Sequence, residues 1–248
     1  ESGISYVGID MDGFSQISGR MDVIAGLEKA KPAMEYLRDA GVGCGVRITI
    51  GEFNLSQLAS IIGAIENTGL KRFAVCQHIE GSDWKAVKEE RREIIDSLID
   101  YAMQNPEMEV VTEQLYDDGV YLLQRVAEHE PELAVEMEKL LARQGGCPAG
   151  DRIVNVDYRG NVHLCPYWQY RTIGNIREQK LSDICFDEED EILAMMKDKT
   201  QHLKGKCGRC MHKHLCRGCG ARAEEMCGDL FGTDPACYLT EEEVAAVR

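Results

Sequence analysis

The sequence predicts an α/β protein: a parallel sheet made of strand-then-helix units, followed by a small cysteine-rich module. Three observations carry this expectation. Short Val- and Ile-rich runs alternate with amphipathic helical stretches as far as Ile99. The texture then changes to a long helical stretch that stops at Gly145-Gly146, and six of the eleven cysteines crowd between Cys207 and Cys237.

The first unit begins with an apolar run, Ile4 to Ile9, and passes through Asp10-Met11-Asp12-Gly13. Its helix carries Leu27, Ala30, Met34 and Leu37 at helical spacing, and Gly41 caps it. The second runs Val46-Arg47-Ile48-Thr49-Ile50, then a helix opened by Asn54 with Gln57 three residues on, a capping-box spacing. The third is Phe73-Ala74-Val75-Cys76, followed by a charged helix from Trp84 with Ile94, Ile95, Leu98 and Ile99 on one face. Repeated units of this kind lay down a parallel sheet whose working residues sit at the C-terminal ends of the strands. Asp10, Asp12, Thr49, Gln77 and His78 occupy that edge. Three units are too few to close a barrel. The chain opens on Glu1 and almost at once enters a strand, so it is expected to start mid-fold, since the Tyr6 strand would otherwise expose an unpaired edge.

A helical stretch runs from Glu113 to Leu141 with a break at Pro131, and the domain boundary is placed at its end, giving residues 1–144 and 145–248. Beyond it, Ile153 to Val156 and Asn161 to Leu164 flank Asp157-Tyr158-Arg159-Gly160, the pattern of a β-hairpin. A polar helix over Asp190 to Asp198 leads into the cysteines.

Composition excludes some classes of function. The formal charge of -15 and the dispersal of basic residues among acids argue against a nucleic-acid partner, which demands clustered Lys and Arg. The chain has no uninterrupted run of 18 apolar residues and no basic-apolar leader, so a soluble, cytoplasmic protein without a membrane partner is expected. An odd cysteine count in a chain of 248 residues does not suit a disulfide framework.

The dense run is Cys207-x2-Cys210-x5-Cys216-x2-Cys219, with Cys237 beyond. Two residues between thiols bring both sulfurs round one turn onto a single ion or cluster. On this spacing alone, a closed zinc site that staples a loop and an iron-sulfur cluster are equally consistent. A second set, Cys147-x12-Gly160-x4-Cys165, places two more thiols at the ends of the hairpin. Seven cysteines divide poorly into one zinc site and reasonably into sites of four and three. Cys44, Cys76 and Cys185 are expected to be small buried or loop residues, Met195 and Met196 helix packing, and His163 a satisfied hairpin residue that by position could also approach a cluster.

This pattern resembles the SPASM motif of radical S-adenosylmethionine (SAM) enzymes: a Cys, a Gly and a Cys, then a four-Cys run and one last Cys. The final gap of the run is two residues here, where the commonest form has three. The resemblance covers almost the whole chain. It implies the C-terminal part of a partial (βα)6 TIM-like barrel followed by a SPASM module. It also implies two auxiliary 4Fe-4S clusters, one on Cys207, Cys210, Cys216 and Cys237, the other on Cys147, Cys165 and Cys219. The fourth ligand of the second would be Cys227, or the iron would stay open to water or substrate. Asp10, Asp12, Arg47 and Thr49 are the implied SAM contacts, although on residue pattern Arg47 and Thr49 equally suit the polar side of a strand. The Cys-x3-Cys-x2-Cys motif that holds the SAM-cleaving cluster in this family is absent from the chain, so that centre is expected to lie outside it.

Gly160-Asn161-Val162-His163 and the tail Asp234-Pro235-Ala236-Cys237-Tyr238-Leu239-Thr240 are similar to the branch that trims side chains of tetrapyrroles on alternative haem and d-type haem pathways. The implied substrate is a sirohaem-derived tetrapyrrole, with ferredoxin or flavodoxin as electron donor. Two other functions suit the residues: a radical SAM enzyme that modifies a peptide, and a non-enzymatic iron-sulfur carrier or zinc-stapled binding protein.

Overall fold

The structure is a computed structural model that describes residues 3–11, 23–50, 55–77, 84–113 and 116–245. The chain forms two compact units, Glu1–Leu115 and Tyr116–Arg248. Asp12, Asn54 and His78 lie outside the described residues.

The first unit alternates strand and helix: β1 (Tyr6–Asp10), α1 (Val23–Asp39), β2 (Gly43–Ile50), α2 (Leu58–Glu66), β3 (Arg72–Gln77), α3 (Trp84–Gln104) and β4 (Glu109–Glu113). The four strands pair in parallel in the order β1-β2-β3-β4. Successive side chains of a strand point to opposite faces, and Val46, Ile48 and Ile50 with the register partners Phe73 and Val75 are buried together on one face of the sheet. Ile61, Ile65, Ile94, Ile95 and Leu98 complete the core from the helices, each apolar side chain contributing about 1.5–3 kcal/mol by leaving water.

The sequence reading counts three strands in this sheet, and the structure has a fourth. Glu109-Val-Val-Thr-Glu is short and acidic at both ends, so its apolar pattern is weak by itself. It becomes a strand by pairing with β3, starting at the bond from Glu109 N–H to the Lys71 carbonyl. A short 3-10 turn over Leu55–Gln57 leads into α2, and the capping box read for Asn54 and Gln57 lies partly outside the described residues.

The second unit opens with two helices, α4 (Tyr116–His129) and α5 (Pro131–Gln144). Pro131, which lacks an N–H, starts α5, and Gly145 ends it in the left-handed region at φ 68°. The sequence reading places both helices in a domain ending at residue 144, whereas their contacts lie within the second unit, where they pack on each other and on a later helical turn.

The hairpin is β5 (Asn155–Val156) and β6 (Asn161–His163), antiparallel, turned by Asp157, whose carboxylate accepts the N–H groups of Arg159 and Asn161. A third strand, β7 (Thr172–Asn175), pairs with β6. Seven short helices follow: α6 (Leu181–Cys185), α7 (Glu191–Lys197), α8 (Lys199–His202), α9 (Gly205–Arg209), α10 (Lys213–Cys216), α11 (Gly220–Cys227) and α12 (Glu241–Val244). Asp190 caps α7 through Ile192 and Leu193 N–H, and a Thr240–Glu243 capping box opens α12. Among the described residues no helix is long and apolar enough to cross a membrane.

Candidate metal centres

Cys207 lies in α9, Cys210 at its end, Cys216 in the last position of α10 and Cys237 in the loop before α12. The fold gathers these four thiols round one cavity, whose wall also includes Asp117, Lys206, Lys213 and Asp234. The thiols line a space and do not converge on a point. Among the described residues, no three His, Cys, Asp or Glu side chains are placed to hold a single metal ion.

Burial pushes all four thiols up: Cys207 and Cys210 above the usual thiol range, Cys216 well above it, and Cys237 to about 12. Backbone N–H groups oppose that penalty at each sulfur. They come from Asp234 to Cys207, His212 to Cys210, Gly218 to Cys216 and Leu239 to Cys237. Such donors stabilise thiolate and, in iron-sulfur proteins, tune the cluster. The donor set therefore fits a thiolate-held cluster: four free thiols, aimed N–H groups, and lysines in the wall.

The second group is Cys147, Cys165 and Cys219. Cys147 and Cys165 belong to one buried apolar cluster with Leu164, Trp168, Leu193 and Met196, and Cys219 packs against it. Burial raises Cys165, and it takes Cys219 to about 11. The phenol of Tyr116 is raised, first by burial and then by the thiols of Cys147, Cys219 and Cys165. Cys227 is not brought to them. It ends the helix that Cys219 caps, about 12 Å of helical rise away, and it is exposed. If Cys227 is no ligand, the Cys227→Ser variant retains its full iron content, measured beside a Cys165→Ser control that loses iron.

His163 is buried within the three-stranded sheet, where Nδ1–H donates to the Arg171 carbonyl at 2.9 Å and Nε2 lies 3.4 Å from Asp157. Both ring nitrogens are thus occupied by its neighbours.

The two thiol groups share backbone. Cys147 N–H donates to the Cys216 carbonyl at 3.0 Å. Gly146 permits this approach: its φ is 61°, and a β-carbon there would lie 2.6 Å from the Leu215 carbonyl oxygen and against that of Cys216. Gly146→Ala should therefore destabilise the second unit by on the order of 2–4 kcal/mol, read as a lower denaturant midpoint. Asp234, 4% exposed, ties the groups a second time. Its carboxylate accepts Cys219 N–H and Ala236 N–H and both arms of Arg222, while its own N–H donates to Cys207 Sγ at 3.3 Å.

At the sheet edge of the first unit, Asp10 and Arg47 meet. Arg47 Nη1 donates to Asp10 at 2.7 Å and Nε to Glu113 at 2.6 Å. The bonds to Asp10 and then Glu113 hold the guanidinium charge above its usual range. Thr49, two residues on, is buried. Glu113, Tyr116, Arg222 and Asp234 are absent from the sequence reading as site residues. A signal existed for Asp234, which stands three residues before a candidate ligand. None existed for Glu113, which depends on the unrecognised fourth strand.

Comparison with known proteins agrees with this geometry. The family profile for SPASM, an iron-sulfur cluster-binding domain, matches residues 147–211. The chain is 30% identical to the Fe-coproporphyrin III synthase of Methanosarcina barkeri over 98% of its own length and 65% of that protein's. It is 31% identical to the pre-heme d1 synthase of Dinoroseobacter shibae, over 98% and 63%. It thus spans just under two-thirds of these relatives. Among solved structures, Streptococcus suis SuiB bound to S-adenosylmethionine superposes with a TM-score of 0.61 at 16% identity, covering 94% of this chain and 53% of that one. The anSMEcpe structure with bound AdoMet gives 0.58 at 15% identity, over 94% and 61%. These two likenesses concern the fold.

Proposed function

We propose that the chain belongs to the radical SAM enzymes that carry a SPASM domain, and that it supplies the later barrel strands and the auxiliary-cluster module of an enzyme that removes side chains from a tetrapyrrole. The observation that carries this reading is the match, along nearly the whole chain, to two relatives named for tetrapyrrole synthesis. In this reading Cys207, Cys210, Cys216 and Cys237 hold one 4Fe-4S cluster, and Cys147, Cys165 and Cys219 hold another. Auxiliary clusters supply one-electron chemistry, accepting or relaying an electron from the reaction or anchoring substrate at an open iron.

The chain's own residues prepare these places. The buried wall excludes water, the N–H groups of Asp234, His212, Gly218 and Leu239 partly offset the burial that disfavours thiolate, and Asp234 fixes Cys219 and Cys207 relative to each other. With Cys227 at the exposed end of α11, the three thiols of the second group would leave one iron of such a cluster open to water or substrate. At the sheet edge, Asp10, Arg47 and Thr49, with Asp12, are assigned to SAM. Arg47 is fixed there by two carboxylates, Asp10 and Glu113, which set its place at the strand ends. A ferredoxin or flavodoxin supplies the electron.

The test is a polypeptide that joins this chain to a Cys-x3-Cys-x2-Cys segment, incubated anaerobically with SAM, dithionite and either an iron tetrapyrrole bearing acetate or propionate side chains or a short peptide. Loss of side-chain mass from the tetrapyrrole supports the reading. Modification of the peptide alone overturns it.

A further inference from the structure

Lys199 opens α8 and is 1% exposed, one of the most deeply buried side chains in the molecule. Its ammonium donates to the Gly218 carbonyl at 2.9 Å, and no carboxylate lies within ion-pair distance of it among the described residues. The neighbouring cations are paired: buried Arg217 with Asp151 at 2.6 Å, and part-buried Arg222 with Asp234 at 2.6 Å. A buried charge with no counter-charge costs several kcal/mol, so its presence calls for an anion.

The position of the ammonium identifies that anion. Gly218 stands between Cys216 of the first thiol group and Cys219 of the second. Its α-carbon faces Cys207 Sγ, which a β-carbon would approach to 3.3 Å. Lys199 acts electrostatically on Cys207 of one group and on Cys165 of the other. A thiolate-held cluster is a net anion and gains one more unit of negative charge on reduction, so a fixed cation beside it favours the reduced form.

We propose that Lys199 is the shared buried counter-ion of the two clusters, a positioning residue that raises the reduction potential of both. The inference rests on the reading that both thiol groups hold iron-sulfur clusters, and iron and sulfide contents of the unaltered chain test that reading separately.

The experiment compares the reconstituted full chain with its Lys199→Met and Lys199→Arg variants. Iron, sulfide and the midpoint potentials from paramagnetic-resonance titration are measured for each, together with the denaturation midpoint of the iron-free forms. Lys199→Met should lower the reduced-to-oxidised ratio of both clusters about tenfold at fixed ambient potential, a shift of 59 mV for one electron, and a shift confined to one cluster would overturn the shared role. Lys199→Arg should hold it near the original. Iron-free Lys199→Met should be as stable as the iron-free parent or more so, because the uncompensated cation is gone. Unchanged potentials at full iron content would overturn the proposal. So would a Met variant that destabilises the iron-free chain and fails to load iron, since the lysine would then be a packing element.

Discussion

Anaerobic reconstitution of this chain with iron and sulfide loads about two clusters per chain, and the Cys207→Ser, Cys210→Ser double variant loads about half as much. The physical ground is the separation of the thiols into two groups. Cys207, Cys210, Cys216 and Cys237 line one cavity, while Cys147 and Cys165, with Cys219 beside them, are embedded in a different apolar cluster. Removing two of four ligands abolishes the first cluster, because the remaining two thiols are buried and, without iron, are held as thiols. The second group keeps all its sulfurs. It is tied to the first through the Cys147–Cys216 backbone bond, which the serine changes leave in place, and through Asp234, whose carboxylate still accepts Cys219 N–H although its own N–H loses the Cys207 sulfur. Iron and acid-labile sulfide analysis reads the outcome directly. One equivalent of zinc with no sulfide would identify a structural staple, and loss of all iron in the double variant would show one shared site.

Incubated with SAM and dithionite, the reconstituted chain forms no 5'-deoxyadenosine, whereas a longer polypeptide that also carries a Cys-x3-Cys-x2-Cys segment does. Reductive cleavage of SAM needs an iron left free by a three-cysteine motif so that it can chelate the amino and carboxylate groups. That triplet occurs nowhere in this sequence. The group of Cys147, Cys165 and Cys219 also offers three thiols, but these belong to the second compact unit, and the residues assigned to SAM belong to the strand ends of the first. Product from the short chain, quantified by chromatography against a SAM-free control, would show that the second thiol group performs the cleavage.

Much of the fold is legible in the residues. Val46, Ile48 and Ile50 alternate with polar neighbours and end buried on one covered face of the sheet, and the helices at Leu27 and Ile94 announce themselves by their spacing. Proline at 131 and glycine at 145 mark where a helix begins and stops for reasons internal to those residues. β4 is different, since five residues bounded by glutamates are a strand only because β3 offers a free edge.

Sequence by itself pointed to the chemistry of the site: seven cysteines in two spacings suit thiolate ligation, since two residues between thiols bring both sulfurs round one turn. Tertiary structure alone decided the rest. It sent Cys227 to the far end of α11 and the solvent, because helical rise separates residues that are close in number. It folded α4 against the cysteine module, bringing Asp117 to the first cavity. It also set Asp234 against Arg222, Cys219 and Cys207, and Lys199 against the carbonyl of Gly218. Charges of this kind act through space over distances unrelated to their separation along the chain, and no local pattern of residues records them.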